Sequence, residues 1–184
     1  MSAFIKKLII IIAIVVFILF IALLITAWSM GVFARVNVSV GEKGPYYFIS
    51  LDQKSLYPYI PEQIDKIKNE LTSKNIPYLN PAALIYSDPA VTPLNQVLAR
   101  GGLLLNDSMV VDSPFVIHHI KVRDVITAEI DANPAIATFK IYPALRDWLQ
   151  KYNDIKKSPL SYLEIYDKNR VIVEMSIIQV KKGR

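Results

Sequence analysis

An α+β domain tethered by a single N-terminal transmembrane helix is the fold class this sequence predicts, and three observations predict it. Leu8 to Trp28 is an unbroken apolar stretch without a charged residue; as a helix it would be about 32 Å long, matched to a bilayer core of about 30 Å. After it, the order strand, strand, helix, strand, strand is read twice, which places helices on one face of a sheet and leaves the other face free to form a cleft. The second unit closes on Tyr162 to Ile178, a hairpin that puts carboxylates where a core strand should be apolar.

The apolar run is too long for a secretory signal peptide, and no convincing small-x-small cleavage site follows it. Lys6 and Lys7 precede the span, and the first charge after it is Arg35. The positive-inside rule therefore predicts a cytoplasmic N-terminus and a C-terminal domain on the extracytoplasmic side, with the lipid bilayer as partner of Leu8–Trp28. The chain divides into a short basic N-terminus (1–7), the span (8–28), a linker (29–34), one domain (35–180) and a basic tail (181–184). Roughly 150 residues outside the span suit a single core. Of the 184 residues none is cysteine, so disulfides, zinc-thiolate sites and thiol catalysis are excluded within this chain. The net charge of +5 is spread along the domain, apart from Lys156-Lys157 and the tail, and no aromatic-plus-basic stripe accompanies it. The expectation is solvated surface and no nucleic-acid partner.

Arg35 to Val40 alternates, so a first strand with Val36, Val38 and Val40 inward is expected. Gly41 to Pro45 breaks it, and Tyr46 to Leu51 is a second extended run. Ile60, Ile64, Ile67 and Leu71 then recur at helical spacing behind Pro61, which suits a first helical turn. Asn80 to Tyr86 is a short strand, Pro93 to Arg100 leads into another, and Gly101-Gly102 permits a bulge or close backbone approach. In the second half, Phe115 to Lys121 and Val125 to Ile130 are strands. Ala135 to Tyr152 carries a helical pattern of Ile136, Phe139, Leu145, Leu149 and Tyr152, with Pro143 predicting a kink or a late start. In the final hairpin Tyr162, Glu164 and Tyr166 share one face, and Leu163 and Ile165 the other. Val171 to Val180 is apolar except for Glu174, Ser176 and Gln179, so Glu174 is expected to be covered, at a cost of several kcal/mol unless it is protonated, hydrogen-bonded or paired.

Several segments resemble the GyrI-like small-molecule-binding domain, also called the AraC-type effector-binding domain. They are Tyr86-Ser-Asp88-Pro89, Arg100-Gly101-Gly102, Trp148-Leu149, Glu164-Ile-Tyr166 and Glu174, in that order between Val36 and Val180. Within that group the chain is similar to the membrane-anchored branch typified by the reticulophagy receptor of animal endoplasmic reticulum, through Ile141 to Leu145 and Leu163 to Tyr166. It stops without that receptor's long acidic tail, so the reticulophagy role does not carry over. The resemblance implies a duplicated β-β-α-β-β (SHS2-type) domain whose cleft lies between the repeats and uses a buried Glu for cationic or amphipathic ligands. It also implies a cytosolic domain, opposite to the reading from Lys6 and Lys7.

The function expected is thus a membrane-anchored, non-catalytic domain that binds a small amphipathic or cationic molecule. Glu174 and Glu164 are its candidate charges, with Glu174 ranked first, and Tyr166, Tyr86, Tyr46 and Tyr47 are its candidate walls, since a carboxylate among aromatic faces selects a delocalised cation. One alternative is a membrane-tethered module with a protein partner. Another is a hydrolase with Glu164 or Glu174 as general base and Tyr166 as donor, although no nucleophile stands at a recognisable spacing from a base. His118-His119 reads as strand residues on opposite faces, and Asp88, Asp107 and Asp112 read as turn residues. No cofactor or metal is expected.

Overall fold

The computed structural model describes residues 3–152 and 155–179. The predicted tail 181–184 lies outside the described residues, as do the side chains of Lys156 and Lys157. The first element is the helix α1 (Ala3–Ser29), which stands off the rest of the chain with its apolar side chains exposed. It is long and apolar enough to cross a membrane.

The rest is one antiparallel sheet of nine strands among the described residues, with two helices on one face. In chain order these are β1 (Asn37–Lys43), β2 (Tyr46–Leu51), β3 (Ser55–Leu56), α2 (Ile60–Ser73), β4 (Pro81–Ile85), β5 (Leu98–Leu105), β6 (Phe115–Ile120), β7 (Arg123–Asp131), α3 (Pro134–Gln150), β8 (Ile155–Asp167) and β9 (Arg170–Gln179). The strand order is β1-β7-β9-β8-β4-β5-β2-β6, with β3 on the side of β5. The first strand is therefore not beside its sequence neighbour: β1 pairs with β7, and β6 pairs with β2.

Helix α2 buries the expected stripe, Ile60, Ile64, Ile67 and Leu71, against β5 and β2. Helix α3 packs on β7, β8 and β9. Its buried residues are Ala137, Thr138, Ile141, Tyr142 and Leu145, so the stripe is rotated from the predicted one and Phe139 is 72% exposed. Asn133 caps it, accepting from the Ala135 N–H at 3.0 Å, and the helix runs through Pro143 rather than starting there. Strand β1 lies at the sheet edge, and Val40 faces solvent instead of turning inward. Gly101 and Gly102 sit inside β5, and the close approach is real: a Cβ on Gly101 would fall 2.7 Å from the Ile60 carbonyl oxygen, and one on Gly102 2.0 Å from that of Ile49.

The helix-free face carries its own core of Phe48, Ala82, Leu84, Leu104, Leu163 and Ile165. Curvature covers it. Tyr46 of β2 and Glu174 of β9 are four strand steps apart, roughly 19 Å in a flat sheet, yet the Tyr46 hydroxyl donates to Glu174 Oε1 at 2.8 Å. Twist and coiling have brought the sheet's two halves together across that face.

Candidate functional site

On the helix-free face, where a cleft is expected, the closure leaves a cavity of about 400 Å³ lined by Leu84, Ile120, Arg123 and Ser176 among others. Glu174 lies there as expected for a covered residue, 1% exposed, but it already has a cation: Arg123 Nη2 donates to Oε2 at 2.8 Å, while Arg123 Nε donates to Ser176 at 3.0 Å. Tyr46 completes the group, with its ring 5.8 Å from the guanidinium and its hydroxyl pKa raised, chiefly by burial and then by the bond to Glu174. The acid is neutralised within the fold.

A second cavity, of about 490 Å³, opens on the helical face, between α2 and α3. Its lining is apolar apart from a few groups: Ile60, Pro61 and Ile64 on one side, Pro134, Ala135, Thr138 and Phe139 on the other. Tyr57, Tyr166 and Pro81 line it as well, and Asp65 adds a carboxylate on an exposed position of α2.

Behind those tyrosines lies Glu164, 1% exposed. The alternation of β8 turns Tyr162, Glu164 and Tyr166 toward the helices, and three phenols converge on the acid. Tyr57 donates to Oε2 at 2.9 Å, Tyr166 donates to the same oxygen at 2.5 Å, and Tyr142 donates to Oε1. Each arrives by a different local rule. Tyr57 stands in a 3-10 turn held by its own N–H to the Val97 carbonyl, with Pro58 next to it. Tyr142 is one helical turn beyond Thr138, whose hydroxyl lies 3.2 Å from that of Tyr57. Tyr166 is two residues along the same strand face as Glu164.

Burial raises the Glu164 carboxyl above the ordinary carboxylate range, and the bonds from Tyr142, Tyr166 and Tyr57 pull it partly back. The same burial, with the acid's negative charge beside them, pushes the Tyr57, Tyr142 and Tyr166 hydroxyls up, so they remain donors. No cationic side chain pairs with Glu164 among the described residues.

The sequence candidates thus separate in space. Glu164 and Tyr166 meet at the cavity, whereas Glu174 and Tyr46 meet on the opposite face. Tyr47 stacks on His119 with ring centroids 5.0 Å apart, and Tyr86 lies under Lys54, 4.2 Å from its ring centroid. Sequence reasoning missed Tyr57, Tyr142 and Thr138. Tyr57 carries no periodic signal. The other two were legible, because Thr138, Tyr142, Leu145 and Leu149 recur at spacings of four, three and four. His118 faces away from the cavity, its Nε2 3.0 Å from both Arg100 Nη1 and Ser50 Oγ. Burial and then Arg100 lower its pKa. Among the described residues no cluster of three His, Cys, Asp or Glu could hold a metal.

No family model matches the sequence, and no curated protein matches it. Solved structures do. The chain is similar in fold to the EcmrR C-terminal domain. That match has a TM-score of 0.62 at 14% identity and covers 79% of this chain and 99% of that domain. EcmrR in its cryo-EM complex with DNA matches with a TM-score of 0.64 at 12% identity, over 79% of this chain but only 58% of that one. The integron cassette protein VCH_CASS2, from the mobile metagenome of Vibrio cholerae, matches with a TM-score of 0.53 at 8% identity, over 79% of this chain and 99% of that one. At such identities the likeness is one of fold. It overturns the exclusion of nucleic acid drawn from charge patterning, because a protein with a domain of this fold was solved in complex with DNA.

Proposed function

We propose that this chain is a membrane-anchored, non-catalytic binding domain of duplicated β-β-α-β-β, GyrI-like build, which takes small amphipathic cations in the cavity between α2 and α3. One observation carries the reading: Glu164 is a buried carboxylate with hydrogen-bond donors but no cationic partner among the described residues, set behind the aromatic wall of an apolar cavity. A delocalised cation entering there would meet the faces and hydroxyls of Tyr57 and Tyr166 while its charge offsets the acid behind them. An apolar body would displace water from Ile60, Ile64, Leu94 and Phe139. The volume of about 490 Å³ suits a drug-sized molecule. Pro58, Pro61, Pro81 and Pro134 in the lining restrict backbone motion, so little ordering is left for the ligand to drive.

The reciprocal pairing of β1 with β7 and β6 with β2 supports the duplication, since the leading strand of each half then completes the other. Similarity in fold to the EcmrR C-terminal domain is compatible with ligand binding. A hydrolytic role is disfavoured, because Glu164 already accepts from three phenols and those phenols hold their protons. The span is read as a retained anchor because its exit is docked on the domain: the Asn133 N–H donates to the Met30 carbonyl at 3.0 Å. Lys6 and Lys7 favour a cytoplasmic N-terminus and an extracytoplasmic domain.

The test is binding of the cationic dye rhodamine 6G to the full chain in nanodiscs, followed by fluorescence anisotropy. Glu164→Gln should weaken binding about tenfold or more, as expected for loss of a charge-assisted contact, whereas Glu174→Gln should leave it unchanged. Equal affinities for wild type and Glu164→Gln would sink the proposal.

A further inference from the structure

The cavity and the membrane span meet at one place. Met30, the first residue after α1, accepts from the Asn133 N–H at 3.0 Å, and Asn133 is the cap of α3. Gly31, at φ +80°, lies so close to Ala132 that an added Cβ would fall 2.5 Å from its Cα. The Lys140 ammonium donates to the Val32 and Ala34 carbonyls, both at 2.6 Å, and so ties the linker along the first turns of α3. Those same turns, Pro134, Ala135, Thr138 and Phe139, form one wall of the cavity.

The wall therefore begins one residue from the point where the chain leaves the span. With Trp28 at the end of α1, residues 30–34 stand at headgroup level, and the first turn of α3 is fixed beside them. Phe139, which lines the cavity, is 72% exposed, and so is much of Phe33 (62%) and Trp28 (74%). Exposed aromatics of this kind, one of them at the cavity and two beside the span's exit, are costly in water and favourable at a lipid interface.

We propose that the cavity opens into the headgroup region of the bilayer. Its ligand is then a single-chain cationic amphiphile that places its head against Tyr57, Tyr166 and Glu164 while its hydrocarbon chain stays in the membrane past Phe139. This rests on the cation-binding reading given above and adds where the ligand resides.

The chain contains no cysteine, so Phe139→Cys and, as a control, Lys74→Cys can each carry one nitroxide label on the full chain in nanodiscs. Lys74 lies at the far end of α2, about 20 Å along the helix from the cavity-lining Ile60. Power saturation with oxygen, which partitions into lipid, and with a water-soluble nickel chelate reads membrane depth. The oxygen-to-nickel collision ratio should be several-fold higher at 139 than at 74. In a second arm, n-alkyltrimethylammonium ions from octyl to hexadecyl displace rhodamine 6G from the wild-type chain. Affinity referred to the aqueous concentration should rise about fourfold per methylene along the whole series, because each added group leaves water for lipid. Equal collision ratios at the two sites, or a gain that stops once the chain fills the cavity, would overturn this proposal while leaving cation binding intact. Failure of every cation to bind would remove both.

Discussion

Replacing Tyr142 by Phe removes one hydroxyl from the interior and almost nothing else, which makes it the sharpest probe of the Glu164 group. Tyr142 is the donor to Oε1, and the other two phenols serve Oε2. The variant leaves Oε1 unpaired at a residue that is 1% exposed, and loss of a charge-assisted bond of this kind costs about 2–3 kcal/mol. The carboxyl has an escape, because it can take a proton. From an ordinary value of 4.5 that would cost at most about 3.4 kcal/mol at pH 7, and burial has already raised the group above this value. The loss is therefore bounded, and it depends on pH. Removing a bond that lowers the Glu164 pKa raises its folded-state value further, so the folded variant holds the proton to higher pH than the unfolded chain does. Stability relative to wild type is then preserved below about pH 4.5 and declines as pH rises through the folded-state value. Thermal unfolding of the full chain in nanodiscs at pH 4.5 and pH 8 measures both ends. At pH 8 the midpoint should fall by about 4–10 °C for a domain of this size, with most of the difference gone at pH 4.5. A loss of equal size at both pH values would refute the reasoning, since packing alone would explain it.

Two further outcomes follow from the rest of the sheet. Arg123→Met strands Glu174 in a site that is 1% exposed and should cost about 3–5 kcal/mol in thermal unfolding, while Arg123→Met with Glu174→Gln should recover much of it; equal losses in the single and double variants would show that the charge is not the cause. Gly102→Ala forces a Cβ to within 2.0 Å of the Ile49 carbonyl oxygen and should cost at least about 3 kcal/mol. Gly41→Ala meets nothing within 4 Å and should stay within about 0.5 kcal/mol of wild type, so denaturant midpoints of the pair give the comparison.

The separation of the candidate residues has a physical cause. Alternation along β8 was enough to put Glu164 and Tyr166 on one face, because side chains on a strand repeat every two residues. It was also enough to show that Glu174 is covered. Which face each acid shares, and with what, depends on register: Leu163 lies opposite Glu174, and Glu164 opposite Val173, so the two carboxylates point to opposite sides of the same hairpin. The preference for Glu174 as the ligand-facing charge rested on its apolar neighbours. Those neighbours bury it equally well around Arg123, which is distant in the chain and could not be paired with it by spacing. Tyr57 stands in a non-periodic turn, and Phe139 belongs to the apolar pattern of α3 yet is exposed, because that pattern alone does not say which side of the helix the sheet covers.

Local sequence was sufficient for the elements with strong periodicity: the apolar span, the stripe of α2, the closing hairpin, and the α+β class that follows from their order. These depend on contacts a few residues apart, where side-chain direction follows directly from backbone geometry. The curvature that brings Tyr46 onto Glu174, the meeting of Tyr57, Tyr142 and Tyr166 at Glu164, and the docking of Met30 on Asn133 join residues far apart in the chain. Only the folded sheet brings them together, because register, twist and helix placement are settled by the whole core at once.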